Sequence, residues 1–230
     1  MTVNGIDIRT FNAKQLTADP QPPQVAVNYD WSEKQKLPQE RRTEQKAGHL
    51  KLTIYFRGDS RAKIMRQISE FLLLFDKKVE MELDGYKGTY VGMMTGRSIT
   101  KTKVPNRYKV DLELDGYFKD DIIEKKLKEK TELYVIGTRE TPCILILRNG
   151  TGESQTTQIT GLTEETINAE VPGGATLIID GENGLVTIDG VNAFDQVDMW
   201  EFPYLQPKKT VIECSNSNID VTMEYCPMWL

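Results

Sequence analysis

Apolar and polar residues alternate from Leu50 to Phe56, with Leu50, Leu52, Ile54 and Phe56 on one side and Lys51, Thr53 and Tyr55 on the other. A period of two predicts a strand with one buried face. The period then lengthens. Ile64, Ile68, Phe71, Leu72 and Phe75 fall on one stripe of a helix, and Arg61, Lys63, Arg66, Gln67 and Glu70 occupy its other face. Gly58-Asp59-Ser60 precedes this run, and Asp59 or Ser60 is suited to cap it, so a helix is expected over about 60–75. Alternation returns in Val79–Leu83, Gly88–Met94 and Tyr108–Leu114, parted by turn residues such as Asp84-Gly85 and Pro105-Asn106. An opening strand is expected over Val3–Thr10, with an early turn at Asn4-Gly5. The string Glu-Leu-Asp-Gly-Tyr occurs at Glu82–Tyr86 and again at Glu113–Tyr117, as if marking equivalent strand exits.

Residues 18–38 interrupt this pattern. Pro20, Pro22, Pro23 and Pro38 exclude a central strand or a helix interior there. A stretch this long inside a compact domain reads as an extended arm, with Val25, Val27, Tyr29 and Trp31 as its apolar contacts to a neighbouring subunit. The opposing reading is a loop that orders nowhere. The first domain, expected over 1–130, is thus α+β: a β-rich sheet with one helix and an arm. The charged run Phe118–Lys130, where Ile122, Ile123 and Leu127 suggest a helical turn, forms the expected boundary. Past Thr131 no helix pattern recurs. Strands are expected at Cys143–Leu147, Thr156–Ile159, Thr166–Glu170, Ala175–Ile179, Leu185–Ile188, Val211–Cys214 and Ile219–Tyr225, divided by Gly-containing turns. That spacing predicts an all-β sandwich over 131–230.

Charge sharpens the division. Residues 1–130 hold 25 Lys and Arg against 19 Asp and Glu, net +6; residues 131–230 hold 4 against 15, net −11. So abrupt a change argues for two units with different surroundings. No run approaches the ~20 apolar residues that span a bilayer. The N-terminal residues lack both a basic start and an apolar core, so no secretory signal is expected, and folding in a cytoplasm is.

Candidate chemistry is sparse. Cys143, Cys214 and Cys226 are odd in number and without Cys-x-x-Cys spacing, which argues against a disulfide framework; Cys143, in an apolar run, reads as a buried inert thiol. The single histidine, His49, reads as a strand-flanking residue and supports neither a zinc site nor a Ser-His-Asp hydrolase. Asp180, Glu182, Asp189, Asp195 and Asp198 lie close in sequence but not at calcium-loop spacing. The glycines among them form no phosphate-cradling motif. No catalytic residue, metal or cofactor is therefore assigned. Phe194, Trp200, Phe202 and Tyr204 cluster, and Trp200, Phe202 and Tyr204 are candidate contacts for a glycan or a protein partner. The opposing reading places these rings in the core.

The opening Val3-Asn4-Gly5-Ile6-Asp7-Ile8, the strand-helix-strand core from Leu50 to Leu83, and the closing progression Ile179-Asp180, Asn192-Ala193, Phe202-Pro203-Tyr204-Leu205, Pro227-Met228-Trp229-Leu230 carry a resemblance. Together they resemble the distal tail protein family of long-tailed, non-contractile bacteriophages and prophages, along essentially the whole chain. The resemblance implies a virion structural protein at the tail tip, with no catalytic or cofactor-binding residues. It implies a ring, typically of six copies, joining the tail tube protein to the tail-associated hub protein and in some phages carrying receptor-binding proteins. It also implies a tail-tube-like first domain that closes the ring through an arm, and a galectin-like or carbohydrate-module-like sandwich that projects outward. No membrane insertion and no specific nucleic-acid binding follow from it. The alternative is a saccharide-binding sandwich acting in host recognition without a ring.

Overall fold

The computed structural model describes residues 1–23, 25–30, 39–45 and 47–229. The chain divides into two compact units, Met1–Lys119 and Asp120–Trp229. The second unit thus begins at Asp120 and not at Thr131. Residues expected to form a helical turn at the end of the first domain instead make a strand of the second. Ile123–Lys126 pairs antiparallel with Ile219–Tyr225, and Leu127 is buried in the second unit's core.

In the first unit the strands are β1 (Thr2–Val3), β2 (Ile6–Asp7), β3 (Ala13–Gln21), β4 (Val25–Asp30), β5 (Gln39–Gln45), β6 (Gly48–Arg57), β7 (Val79–Glu82), β8 (Thr89–Lys101) and β9 (Arg107–Lys119), with helix α1 (Arg61–Leu72) between β6 and β7. The main sheet runs β2-β1-β7-β8-β9-β6-β3. The expected single strand over Val3–Thr10 is a tight hairpin followed by a 3-10 turn at Ile8–Phe11. Asn4 and Gly5 both take positive φ, 49° and 76°, the geometry of a two-residue hairpin turn.

Leu50, Leu52, Ile54 and Phe56 of β6, with Tyr108, Val110, Leu112 and Leu114 of β9, are buried on one face of the sheet. Helix α1 covers this face with Ile64, Ile68, Phe71 and Leu72. Ser60 caps the helix by accepting from the Lys63 backbone N–H. Phe71 sits edge-on to Phe56, Phe75 and Phe11, with centroids at 5.3, 5.1 and 5.9 Å. Pro20 is tolerated in β3 because β3 is the edge of the sheet.

A row of glycines crosses the sheet where Gly48 pairs with Gly116 and Gly116 with Gly92. A Cβ on Gly116 would stand 2.2 Å from the Val91 carbonyl oxygen and 2.9 Å from Cζ of Tyr90. The Tyr90 ring fills the space those side chains leave, and its hydroxyl donates to the Leu114 carbonyl at 3.2 Å. The repeated pentapeptide therefore takes two structures. Gly85, in the first copy, is a turn residue at φ 88°, whereas Gly116, in the second, lies within β9.

The second unit holds β10 (Ile123–Lys126), β11 (Lys130–Val135), β12 (Thr141–Asn149), β13 (Gln155–Thr160), β14 (Ile167–Val171), β15 (Thr176–Asp180), β16 (Leu185–Ile188), β17 (Val191–Asn192), β18 (Val197–Asp198), β19 (Tyr204–Leu205), β20 (Lys208–Cys214) and β21 (Ile219–Tyr225). One sheet runs β10-β21-β12-β15-β16-β17, with β19 also on β12; the other runs β11-β20-β13-β14-β18. Both send residues into one core: Cys143, Leu145, Leu177, Ile179, Val221 and Met223 from the first, and Val135, Ile159, Ile167, Val171 and Ile212 from the second. All the expected strands of this half are present within a residue or a few at their ends. β10 and β11 are additional, because their charged residues obscure the alternation.

Thr157 is buried, and its hydroxyl has no hydrogen-bond partner among the described residues. A buried hydroxyl without a partner costs about 1–3 kcal/mol. Thr157→Val keeps the shape and removes that group, so it is expected to stabilise the second unit by ~1 kcal/mol and raise its melting temperature by about 4 °C. Calorimetry of the variant checks this, and an unchanged or lower transition means the hydroxyl finds a partner in solution.

Candidate functional site

The arm is a β-hairpin. β4 pairs with β5 from Val25↔Gln45 to Asp30↔Gln39, with an irregularity after Asn28. Its bounds differ from the expected 18–38. Residues 18–21 belong to edge strand β3, paired with β6 through Gln21↔His49, and the returning strand β5 lies beyond Pro38. Polar residues such as Gln39-Glu40-Arg41-Arg42 gave no apolar pattern by which to read β5. Val25, Val27 and Tyr29 lie on β4; Trp31 lies outside the described residues. Among the described residues β4 and β5 pair only with each other. A two-stranded hairpin alone is marginally stable in water, so this one calls for a surface to lie on.

The aromatic candidates of the second unit occupy unlike positions. Trp200 is 85% exposed and touches no other ring among the described residues. Phe202 is half-buried against the sandwich core and meets Phe194 edge-on, with centroids 5.9 Å apart. Tyr204 lies on β19, opposite Pro142, and partial burial, then Glu201 and Glu140, push its hydroxyl pKa up.

Carboxylates and thiols have structural work. Asp180 accepts from the backbone N–H groups of Glu182 and Asn183, both at 2.9 Å, and so shapes the turn after β15. Among the described residues no three His, Cys, Asp or Glu side chains are grouped to hold a metal ion. Burial pushes the Cys143 thiol up to about 12 and that of Cys214 to about 11. His49 lies within β6 rather than beside a strand, with Nδ1 2.8 Å from Asp115 Oδ1.

Distant segments also build a cationic groove that no local motif announced. Two adjoining concavities of about 550 and 400 Å³ share Asn12 and Arg57. Arg9 and Lys14 line the larger, and Lys63 and Arg107 the smaller. Arg9 is held by Asp7, whose carboxyl pKa falls to about 2 beside that guanidinium, and Lys63 by Asp59. Arg57 and Arg107 stand directly opposite each other across β6 and β9, and the Arg107 guanidinium lies 6.0 Å from the Tyr55 ring centroid. In the second unit a concavity of about 540 Å³ is lined by Glu170, Asp195 and Asp198 with polar residues of β13 and β14.

A family model described as "Siphovirus-type tail component, C-terminal domain" matches residues 136–229. Among solved structures, the chain is similar to the Dit protein of phage SPP1, described as a paradigm of the hub adsorption apparatus in phages infecting Gram-positive hosts. That likeness has a TM-score of 0.77 at 13% identity and covers 99% of this chain and 98% of that one. A chain of the phage P2 baseplate, in its activated conformation with calcium, is similar at a TM-score of 0.52 and 10% identity, over 96% of this chain and 92% of that one. At these identities the likeness is one of fold. No curated protein matches the chain.

Proposed function

We propose that this chain, whose residues 136–229 match the siphovirus-type tail component family model, is a structural subunit of a phage or prophage tail tip, assembled into a ring. The ring, of six copies, joins the tail tube protein to the hub or baseplate protein and presents receptor-binding proteins. The observation that carries this reading is the coincidence of that family match with a fold likeness spanning both units of the SPP1 Dit protein. The first unit is the ring-former and its hairpin the clasp, with Val25, Val27, Tyr29 and Trp31 as the contacts. A clasp of this kind suits a heterologous interface, where one surface meets a different surface on the next copy. The second unit is the outward, galectin-like or carbohydrate-module-like sandwich. No reaction is assigned to either unit.

Light scattering of the purified chain is expected to give six times the 26.2 kDa subunit mass, and negative-stain images a six-fold ring with an open centre. A single-subunit mass at every concentration would count against the ring. It would favour the second reading, a saccharide-binding sandwich, for which the exposed Trp200 provides a stacking surface.

A further inference from the structure

We propose that the cationic groove of the first unit docks onto the carboxylate-bearing outer face of the second unit of another copy of this chain. The inference rests on the ring reading and names a contact within it.

Charge is divided between the units themselves. Residues 1–119 carry 21 Lys and Arg against 15 Asp and Glu, net +6, and residues 120–230 carry 8 against 19, net −11. Within each unit some neighbouring charges on the surface neutralise each other. In the first, Arg9 pairs with Asp7, Lys63 with Asp59, and Lys119 with Glu80. Asp84, paired with the N-terminal amine, and Asp59, paired with Lys63, line the same concavities, and exposed Lys14, Arg57 and Arg107 form no ion pair among the described residues. Arg57 and Arg107 face each other directly, an arrangement that weakens a strand pair unless an anion sits between or above them.

The outer face of the second sheet shows the opposite imbalance. Across β11 and β20 its charges cancel, Lys130 with Glu213 at 2.9 Å and Lys209 with Glu132 at 2.8 Å. Across β14 and β18 they do not. Glu170 accepts only from Ser154, Asp195 accepts from Gln196, and no cation pairs with Glu170, Asp195 or Asp198 among the described residues. Each concavity therefore presents what the other lacks. They occupy different surfaces of one chain, so joining them between copies is a heterologous contact, the class that closes rings. Screening confines such attraction to about 10 Å at 0.1 M salt, which makes the contact salt-sensitive and specific in register.

The test uses the full chain and two charge reversals, Arg57→Glu with Arg107→Glu, and Asp195→Lys with Asp198→Lys. Light scattering at low salt is expected to give subunit mass for each variant alone, at concentrations where the unaltered chain assembles. An equimolar mixture is expected to regain the assembled mass, because each variant's altered face then meets its complement. Far-UV circular dichroism verifies folding. Should a reversal fail to fold, Arg57→Gln with Arg107→Gln replaces it, expected to raise the concentration for half-assembly about tenfold. Unaltered assembly of the folded variants, or a mixture that does not recover, overturns this contact and leaves the ring standing. A monomeric unaltered chain removes the ring reading itself, and the contact with it.

Discussion

Excising the hairpin, with Asn-Gly in place of residues 23–47, is expected to leave a folded subunit that forms no ring. The register makes this graft possible. Gln21 of β3 already lies opposite His49 of β6, so Pro22 and Gly48 can flank a two-residue turn that joins two strands already paired. The buried core residues described for the first unit all lie in other segments. What is lost is a two-stranded element that gains little stability from itself. Light scattering should then report the mass of one shortened subunit, with a thermal transition near that of the unaltered chain. Intact rings from the excised chain would mean that the subunits meet through other surfaces.

The two copies of Glu-Leu-Asp-Gly-Tyr are expected to respond very differently to the same substitution. At Gly116 an added methyl group meets the Val91 carbonyl oxygen at 2.2 Å, the Gly92 Cα at 2.7 Å and Tyr90 Cζ at 2.9 Å. Backbone on the adjoining strand cannot move without disturbing β8, so Gly116→Ala should cost about 3 kcal/mol. At Gly85 nothing lies within 4 Å of the added Cβ, and the penalty comes only from φ 88°, about 1 kcal/mol. Denaturant unfolding of both variants, followed by a probe in the first unit, measures the difference. If Gly116→Ala proves no worse than Gly85→Ala, β8 and β9 can separate more readily than their pairing suggests.

That pentapeptide also shows where sequence reading stops. Five identical residues make a turn in one place and a central strand in the other, because β8 and β6 on either side of β9 supply its partners from outside the pentapeptide. Helix α1 was legible because its apolar stripe and Ser60 cap are local features. β6 and β21 were legible because each has one fully buried face. β10 was misread for the opposite reason. Ile123-Glu124-Lys125-Lys126 buries little and owes its conformation to pairing with β21. The arm's existence followed from its prolines, but its extent did not, since β5 is held by pairing with β4 and not by an apolar pattern. The cationic groove was invisible for a related reason: Lys14, Arg57 and Arg107 are brought together only by sheet register.

The place of β21 bears on how the protein is made. The strands β2, β1, β7, β8, β9, β6 and β3 and helix α1, which supply the first unit's core, all lie within residues 1–119, so that core can form while the remainder is still being synthesised. The second unit has no such early option. β21 sits between β10 and β12, and both of those partners are synthesised well before it. Until it arrives, β12 offers an unpaired edge that carries Cys143, Leu145 and Leu147, and β10 has nothing to pair with. A ribosome that stops short of Ile219 therefore releases a finished first unit tethered to an unclosed, adhesive second one, whose first opportunity for pairing is the same edge on another unfinished chain.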